Sequence, residues 1–363
     1  MKQDTPKYLA LHQWIHEQVA AGKFHGGDKF FSENELSAMF GMSRQTVRQA
    51  VGLLEREGML ERRRGSGTYI AAQIAARVEP APVVGVISTY LDDYIFPSII
   101  RGIESALTRR GYGMRLSFTH NRVDNEARAL ELMLNTELCG LIVEPTKSAL
   151  PNPNKAQYEE FQRRGVPVVF FNAVYPELSF PLVALDDREA GYAATTRLLR
   201  AGCQRIAAIL QSDDRQGHLR YEGYLRALHE AGIPFRDERV LWYDTEDIPT
   251  LLKAGGRLLS RLGDCTGLFC YNDRIAFHAI EQLRLTGSKV PEDISVVGID
   301  NSELAMLAET PLTTVAHPME SLGSLAAERL MRLREEPQFD ASFLFPADLI
   351  ERESVRGTGI PEK

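Results

Sequence analysis

Arg44, Gln45 and Arg48 fall on the outward face of a helix that the sequence predicts to start at Arg44. An arginine can bridge the two acceptors of a guanine edge, and a glutamine can pair bidentately with adenine, so this face can read the major groove of DNA. A solvated helix face of the same composition is the ordinary alternative. The inward positions of the helix, at helical spacing, are Val47, Ala50, Val51 and Leu54.

Side chains suited to the DNA backbone flank this helix. Ser43 and Thr46 at its start offer hydroxyls and exposed N–H groups to a phosphate. Lys7 precedes a first predicted helix at 8–21, where a cation can reach a neighbouring phosphate or remain a solvated terminal charge. Arg64 and Gly65 belong to a predicted basic hairpin at 62–70, in which glycine lets the backbone approach DNA. A basic surface patch is the alternative for the hairpin.

Helix signals before Arg44 predict the elements that hold this face in place. Ser32 and Glu35 can form a capping box, Gly41 suits the left-handed residue that ends a helix, and Ser43 can cap the next helix. Leu36, Met39 and Phe40 are expected to be the buried stripe of the earlier helix. Two helices across a short turn, followed by a hairpin, predict an α+β winged helix-turn-helix.

Residues 6–71 resemble the GntR family of bacterial regulators. The similarity is carried by the acidic helix start at 32–36, the S-R-x-T-V-R motif at 43–48, the turn at 58–60 and the wing at 64–68. Phe30-Phe31 departs from the family pattern of an apolar residue followed by proline, which predicts only a local change at the helix entry. The resemblance implies sequence-specific DNA binding, and Glu33 in the acidic start is included among the DNA-facing candidates.

The charge of the 363-residue chain is divided unevenly. The whole chain carries −7, which alone argues against a nucleic-acid binder. Residues 1–72 hold 10 Lys and Arg against 8 Asp and Glu, a charge of +2, so the other 291 residues carry −9. The acidic part should disfavour nonspecific DNA contact while the small basic part concentrates it.

The remainder of the chain alternates short apolar runs with helical stretches from residue 83 onward, a pattern typical of parallel sheets covered by helices. The pattern restarts near residue 183, which predicts two α/β lobes. Small residues and two prolines precede the first of these apolar runs at residue 83. We therefore predict a DNA-binding domain at 1–71, a linker at 72–82 and an effector-binding and dimerisation domain at 83–363. The predicted strands are 83–88, 114–118, 140–143, 166–172, 183–185, 205–210, 240–243, 267–271 and 294–299.

Polar or aromatic side chains follow most of these strands. Ligands bind beyond the carboxyl ends of parallel strands, so these positions predict a cleft between the lobes. Paired Asp, Asn and Arg groups can each take two neighbouring hydroxyls while an aromatic ring stacks on a C–H face, which favours a sugar as ligand. The predicted effector-binding residues are Tyr94, Phe96, Glu144, Lys147, Asn172, Gln216, Arg220, Asn272, Asp273, Asp300 and His317.

Each of these residues has a structural alternative. Asp273 can cap a helix that starts at Arg274, Asn172 can lie in a turn, and Arg220 can pair with Glu222 or Asp214 on the surface.

Residues 83–355 resemble the LacI/GalR-type effector module, which is related to periplasmic sugar-binding proteins. The similarity lies at 101–104, 140–143, 220–224, 272–276, 290–300 and 311–315. It implies that Arg220, Asn272 and Asp300 hold the effector. The combination of a GntR-type DNA-binding domain with this effector module is similar to the arabinose-repressor family of Gram-positive bacteria. The segments 89–102 and 141–150 carry this similarity. That resemblance implies a homodimer that represses arabinose-utilisation genes from palindromic operator DNA and releases it on binding L-arabinose.

Other classes of protein find little support in the sequence. The eight histidines show no H-E-x-x-H or metal-ligand spacing, and neither a G-x-S-x-G motif nor a nucleotide-binding loop is present, so we expect neither an enzyme nor a metal or cofactor site. The four cysteines lack C-x-x-C spacing and are expected to be reduced. The polar start and the absence of a long apolar run predict a cytoplasmic protein rather than an exported sugar-binding protein. A regulator of the same architecture that answers a different sugar remains the alternative.

Overall fold

The computed structural model describes residues 7–20, 23–63, 66–71, 81–91, 94–253 and 257–357. Contacts divide the chain into two compact units, one ending at Ala81 and the other starting at Pro82. We call the first unit the head and the second the body. Most of the predicted linker, residues 72–80, lies outside the described residues. Within the described part of the chain, no helix is both long and apolar enough to cross a bilayer.

The described residues of the head form three helices and a two-stranded antiparallel hairpin. Leu11 and Ile15 of the first helix pack with Leu36, Val47 and Leu54 in its buried core. The described part of the head therefore has the predicted helix-turn-helix followed by a wing hairpin. The elements are α1 (Lys7–Ala20), α2 (Glu33–Phe40), α3 (Arg44–Arg56), β1 (Leu60–Arg63) and β2 (Gly67–Ile70).

The predicted helix signals of the head are confirmed. Ser32 and Glu35 form the capping box, Gly41 ends α2 with φ 61°, and the Ser43 side chain accepts a hydrogen bond from the N–H of Thr46. The prediction for Met39 was wrong, because 52% of this residue is exposed. On a helix of only eight residues the buried stripe is narrow, and Met39 lies on its flank.

In the described part of the body, the strands form two six-stranded sheets, each with helices on its faces. The first sheet has the order β13-β7-β6-β5-β3-β4 and is entirely parallel. Its elements are β3 (Val83–Ser88), α4 (Phe96–Thr108), β4 (Gly113–Phe118), α5 (Val123–Leu134), β5 (Gly140–Val143), α6 (Lys155–Arg163), β6 (Val168–Phe171), β7 (Leu182–Leu185), α12 (Met319–Glu335) and β13 (Phe343–Phe345). We call this part the first lobe.

The second lobe is built on the other sheet, of order β14-β12-β11-β10-β8-β9, in which only β14 is antiparallel. Its helices and strands are α7 (Asp187–Arg200), β8 (Ile206–Gln211), α8 (Arg215–Glu230), β9 (Val240–Tyr243), α9 (Ile248–Leu251), β10 (Gly267–Cys270), α10 (Asp273–Leu285), β11 (Ser295–Asp300), α11 (Leu304–Leu307), β12 (Thr313–Ala316) and β14 (Leu349–Ile350). Short 3₁₀ turns lie at Asp237–Arg239 and Arg257–Leu259.

All nine predicted strands are present within two residues of their predicted bounds. The predicted restart near residue 183 was placed too early, because β7 pairs with β6, with Phe170 opposite Leu182, and so belongs to the first sheet. The chain enters the second lobe after β7, returns to the first through α12 and β13, and ends in the second with β14. Hydrophobic periodicity identifies strands but does not identify their pairing partners, so it could not place these crossings.

Candidate functional site

A cavity of about 110 Å³ lies between the two lobes, beyond the carboxyl ends of their strands. Its walls combine charged and amide side chains with aromatic rings, and they include six of the predicted effector-binding residues. Those six are Phe96, Glu144, Asn172, Gln216, Arg220 and Asp300, and the other lining residues include Thr89, Tyr90, Asn121, Ser148, Gln211, Asp214 and Tyr271.

Glu144 is the centre of the first-lobe wall. Its Oε2 accepts hydrogen bonds from the N–H of Thr89 at 2.8 Å and the hydroxyl of Ser88 at 3.1 Å, while Oε1 accepts from Nδ2 of Asn172 at 2.8 Å. Burial raises the pKa of this carboxyl, and the hydrogen bonds from Thr89 and Asn172 oppose that shift. The carboxylate is therefore rigidly held at the end of β5 with its acceptor oxygens beside the cavity.

Arg220 is the centre of the second-lobe wall and is almost completely buried. Its Nε donates to Oδ1 of Asp187 at 2.8 Å, and Nη1 donates to the backbone carbonyl of Tyr271 at 2.6 Å. Nη2 lies 3.8 Å from Oδ1 of Asp300, beyond hydrogen-bond length. A hydroxyl that accepts from Nη2 and donates to Asp300 would fit between these two groups.

Burial raises the pKa of Asp300 to about 7, with Arg220 acting in the opposite direction. The Tyr271 ring lies under the guanidinium of Arg220, with its centroid 4.6 Å from Cζ, and its hydroxyl donates to Oδ2 of Asp214. The second-lobe wall is thus a dense set of buried donors and acceptors that hold one another in place.

Two cavity residues have left-handed backbones although they are not glycine. Asn172 has φ 62° and Asp300 has φ 114°, and each lies at the carboxyl end of a strand, where the chain turns sharply. Such conformations cost free energy and persist only where the surrounding structure enforces them. In both residues the turn places the polar side chain at the cavity wall.

Residues at the rim join the two lobes directly. Lys147, predicted for the cleft, donates from Nζ to Oε1 of Glu246 at 2.7 Å and does not line the cavity. Ser148 donates to Oδ1 of Asp214 at 2.7 Å, and Nδ2 of Asn121 donates to the hydroxyl of Thr245 at 2.5 Å. These contacts hold the lobes together around the cavity, so any opening of the cleft must break them.

The other predicted residues are not among those that line the cavity. The hydroxyl of Tyr94 accepts from the N–H of Asp273 at 3.1 Å, and the side chain of Asn272 caps α10 by accepting from the N–H of Ile275 at 3.0 Å. The Asp273 carboxylate accepts from the N–H of Ser302 at 2.8 Å and from the hydroxyl of Thr314 at 2.6 Å. His317 reaches the site through Asn172, with 3.2 Å between Nε2 and Oδ1. His317 therefore supports the cavity wall through Asn172, whereas Tyr94, Asn272 and Asp273 make their contacts around the start of α10.

On the head, Arg44 and Gln45 are exposed at the start of α3, as is Arg48 on the next turn. Glu33 pairs with two arginines from different elements: Nη2 of Arg48 lies 2.9 Å from Oε2, and Nη2 of Arg62 lies 3.0 Å from Oε1. The hydrogen bond from Arg48 lowers the pKa of Glu33. Glu33 therefore orients a guanidinium of α3 and one of the wing.

The residues of the head that were predicted to contact the DNA backbone lie in three separate segments of the chain. Ser43 and Thr46 face each other at the start of α3, with their hydroxyl oxygens 2.8 Å apart. Lys7 is the exposed first residue of α1. Arg64 and Gly65 lie outside the described residues.

Comparison with known proteins agrees with this two-part architecture. Residues 7–70 match the family of bacterial regulatory proteins called gntR, and residues 195–355 match a periplasmic binding protein-like domain. The arabinose metabolism transcriptional repressor of Geobacillus stearothermophilus is 39% identical over 362 residues, which cover 98% of this chain and 100% of the relative. The chain belongs to this repressor family. A repressor of the same name from Halalkalibacterium halodurans is 37% identical over 342 residues, covering 93% of this chain and 91% of the relative.

Among solved structures, a LacI family transcriptional regulator from Enterococcus faecium with bound ribose superposes with a TM-score of 0.63 and 25% identity. The match covers 76% of the repressor and 98% of the other chain. The predicted family and fold class are thereby confirmed: the repressor joins a winged helix-turn-helix of gntR type to a two-lobed α/β body of the periplasmic-binding-protein type.

Sequence reasoning missed several residues that line the cavity of the repressor. Thr89 and Tyr90 directly follow β3, Gln211 ends β8 with Asp214 three residues later, and Tyr271 directly follows β10. The rule that ligands bind beyond strand ends covers all of them. The prediction went instead to Gln216 and Arg220 on the following helix, whose first turns also face the cavity.

Proposed function

We propose that the repressor binds L-arabinose in the cavity between its lobes and that the sugar releases it from operator DNA. The observation that carries this proposal is the pairing of Glu144 and Asn172 on one wall with Arg220 and Asp300 on the other. Each pair presents a donor beside an acceptor, which matches neighbouring sugar hydroxyls.

The size and polarity of the cavity favour a single small sugar. A volume of about 110 Å³ is small beside the 300–1,000 Å³ that is typical of drug-sized ligands. The aromatic rings of Tyr90 and Phe96, 5.5 Å apart, add an apolar surface for the C–H face of a sugar ring. L-Arabinose is favoured among small sugars because the relatives from two organisms are arabinose metabolism repressors.

On the DNA side, we propose that Arg44, Gln45 and Arg48 contact base edges and that Ser43, Thr46, Lys7, Arg64 and Gly65 contact the backbone. Glu33 orients Arg48 and Arg62 for this task. Two copies of the chain bind a palindromic operator as a homodimer in the cytoplasm, and residues 72–82 act as the linker through which the body signals to the head. The repressor acts by binding alone and does not turn over the sugar.

For L-arabinose to release the repressor from operator DNA, the sugar must favour the arrangement of the lobes in which the repressor binds DNA weakly. A coupling free energy of about 1–3 kcal/mol, roughly 5- to 150-fold in affinity, is typical of allosteric proteins. Lys147 and Ser148 form hydrogen bonds to the second lobe at the rim of the cavity. The strength of these hydrogen bonds would then depend on the bound sugar.

Calorimetric titration of the full-length repressor with L-arabinose tests the proposal, with D-xylose, D-galactose, D-glucose and D-ribose as comparison sugars. We expect saturable binding of L-arabinose and weak or absent binding of the others, followed by release of an operator fragment on addition of L-arabinose. Ribose is included because the Enterococcus faecium regulator binds it. If L-arabinose gave no binding heat and another sugar did, the result would support a regulator of the same architecture with a different effector.

A further inference from the structure

Two histidines and a glutamate converge in the head at the C-terminal end of α3, whereas the residues proposed to contact DNA bases lie near its start. His12 and His16 lie one turn apart on α1, and Glu57 is the residue that ends α3. Their ligand atoms all lie within 4.8 Å of one another, in the only such group of His, Cys, Asp and Glu side chains that the described residues contain. Helical spacing alone could not reveal this set, because the third member comes from another helix.

The two imidazoles direct the same ring nitrogen at one carboxylate. Nε2 of His12 lies 2.8 Å from Oε2 of Glu57, and Nε2 of His16 lies 3.1 Å from the same oxygen. The ligand atoms of a tetrahedral Zn²⁺ ion lie about 3.4 Å apart, as follows from bonds of about 2.0–2.1 Å. Small rotations of these side chains would therefore open enough space for an ion.

The exposure of the three groups also suits a metal. The side chains of His16 and Glu57 are 45% and 41% exposed, while that of His12 is 20% exposed. One side of the cluster is therefore open to solvent, so an ion can enter and water can complete its coordination. Two imidazoles with one carboxylate suit Zn²⁺, Cu²⁺ and Ni²⁺, whereas Mg²⁺ and Ca²⁺ prefer sets made only of oxygen ligands.

We propose that His12, His16 and Glu57 form a site for a divalent transition-metal ion such as Zn²⁺. The ion replaces the N–H hydrogen bonds between the imidazoles and the carboxylate, and it ties α1 to the end of α3. Because α3 carries Arg44, Gln45 and Arg48, the bound ion stabilises the helix proposed to read DNA. This inference concerns the head alone and does not depend on which sugar the body binds.

The test is a Zn²⁺ titration of full-length repressor, freed of metal beforehand, against a chromophoric chelator at neutral pH. The variants are His16→Gln and Glu57→Gln, and the matched control is His25→Gln, which removes an exposed histidine of the same head. We expect wild type and the control to bind one equivalent that the two variants bind at least about tenfold more weakly, since loss even of groups that only support metal ligands costs about 10- to 100-fold. Mg²⁺ should not compete.

A spectroscopic measurement separates metal binding from a merely structural role. With one equivalent of Cu²⁺, the electron paramagnetic resonance spectrum of the wild type should show coupling to two imidazole nitrogens, and that of His16→Gln should lose one of them. Thermal melts without metal check that each variant is folded. Equal Zn²⁺ affinity in wild type, His16→Gln and Glu57→Gln, or a Cu²⁺ spectrum without nitrogen coupling, would overturn the proposal.

Discussion

The imidazole of His317, in the segment that leaves the second lobe, meets the side-chain amide of Asn172 in the first lobe, with Nε2 3.2 Å from Oδ1. Asn172 donates in turn from Nδ2 to Glu144, so its Oδ1 must be the acceptor and Nε2 of His317 the protonated donor. A neutral imidazole of this tautomer leaves Nδ1 as an acceptor, and this atom is buried without a hydrogen-bond partner. One chain of hydrogen bonds thus connects a crossover of the body to the cavity wall.

Acid should destabilise the body through His317. Burial lowers the pKa of His317 to about 3, with the nearby Arg220 acting in the same direction. In the unfolded chain His317 binds a proton near pH 6.5, whereas in the folded body it stays neutral until about pH 3. The free energy of unfolding therefore falls as the pH drops from about 6.5 towards 3.

We expect His317→Gln to remove this part of the pH dependence while Gln can still donate to Asn172. Denaturant unfolding of the repressor between pH 7 and pH 4 measures it, with the exposed His229→Gln as control. If wild type and His317→Gln lose stability in parallel, His317 is not the group responsible.

Asp300→Asn should separate stability from sugar binding. The folded-state pKa of about 7 lies above the ordinary 3.8, so the folded body holds a proton that the unfolded chain has lost, and Asp300 reduces stability as pH rises from about 4 to about 7. Asn cannot ionise, so the variant should melt at a higher temperature than wild type at pH 8 and at a similar temperature at pH 4.

The same variant should bind L-arabinose more weakly by at least about tenfold, because a charged acceptor for a hydroxyl is worth about 1.5–3 kcal/mol. Calorimetry at pH 8 gives the affinity, and a pH series of thermal melts gives the stability. Unchanged sugar affinity in a folded Asp300→Asn repressor would remove Asp300 from the binding site.

Arg48→Ala should weaken operator binding and relax specificity at one base pair by about 1–3 kcal/mol. The Arg48 side chain is 69% exposed and its guanidinium is oriented by Glu33, so it is available to a base edge. Fluorescence anisotropy with an operator fragment and its single-base variants measures both effects.

Arg56→Ala is the matched control for this experiment, since Arg56 is an exposed arginine at the other end of the same helix. We expect it to alter affinity without altering discrimination between bases. Wild-type discrimination by Arg48→Ala would reject the proposed base contact.

Gly323→Ala should destabilise the body. Gly323 lies where α12 crosses α4, and a Cβ placed there would meet the carbonyl oxygen of Ile99 at 2.0 Å. The two helix backbones would have to separate, at a cost of about 1–3 kcal/mol.

Gly52→Ala in α3 is the opposite case, because a Cβ there has no atom within 4 Å. It should stabilise the head by about 0.5–1 kcal/mol through the lower flexibility of the unfolded chain. Denaturant unfolding monitored by circular dichroism compares the two variants. A Gly323→Ala repressor as stable as wild type would show that the backbones of α4 and α12 can separate without loss of stability.

Local signals in the sequence predicted much of this protein. The capping box of Ser32 and Glu35, the left-handed Gly41 and the inward stripe of α3 depend on residues within a few positions of one another, and the structure has all of them. Most strands of the body were found because buried strands are continuous apolar runs. Three strands were missed: β12 starts with two threonines, β13 is a partly exposed edge, and β14 has only two residues.

The sequence predicted a polar cleft and several of its residues, but it did not predict which of those residues line the cavity. Residues after strand ends were expected around a cleft, and Glu144, Asn172, Arg220 and Asp300 lie there. Lys147 lies instead at the rim, where its partner Glu246 is 99 residues away in sequence. Spacing along the chain carries no information about such a partner.

The sequence by itself therefore determined the local structure of the repressor: where helices start and end, which faces are apolar, and which polar groups follow the strands. Only the tertiary structure decided which lobe holds β7, that α12 returns to the first lobe, and that His12, His16 and Glu57 converge. The physical reason is range. Caps, turns and periodicity involve neighbours in sequence, whereas strand pairing, helix crossing and side-chain clusters depend on distances that exist only once the chain has folded.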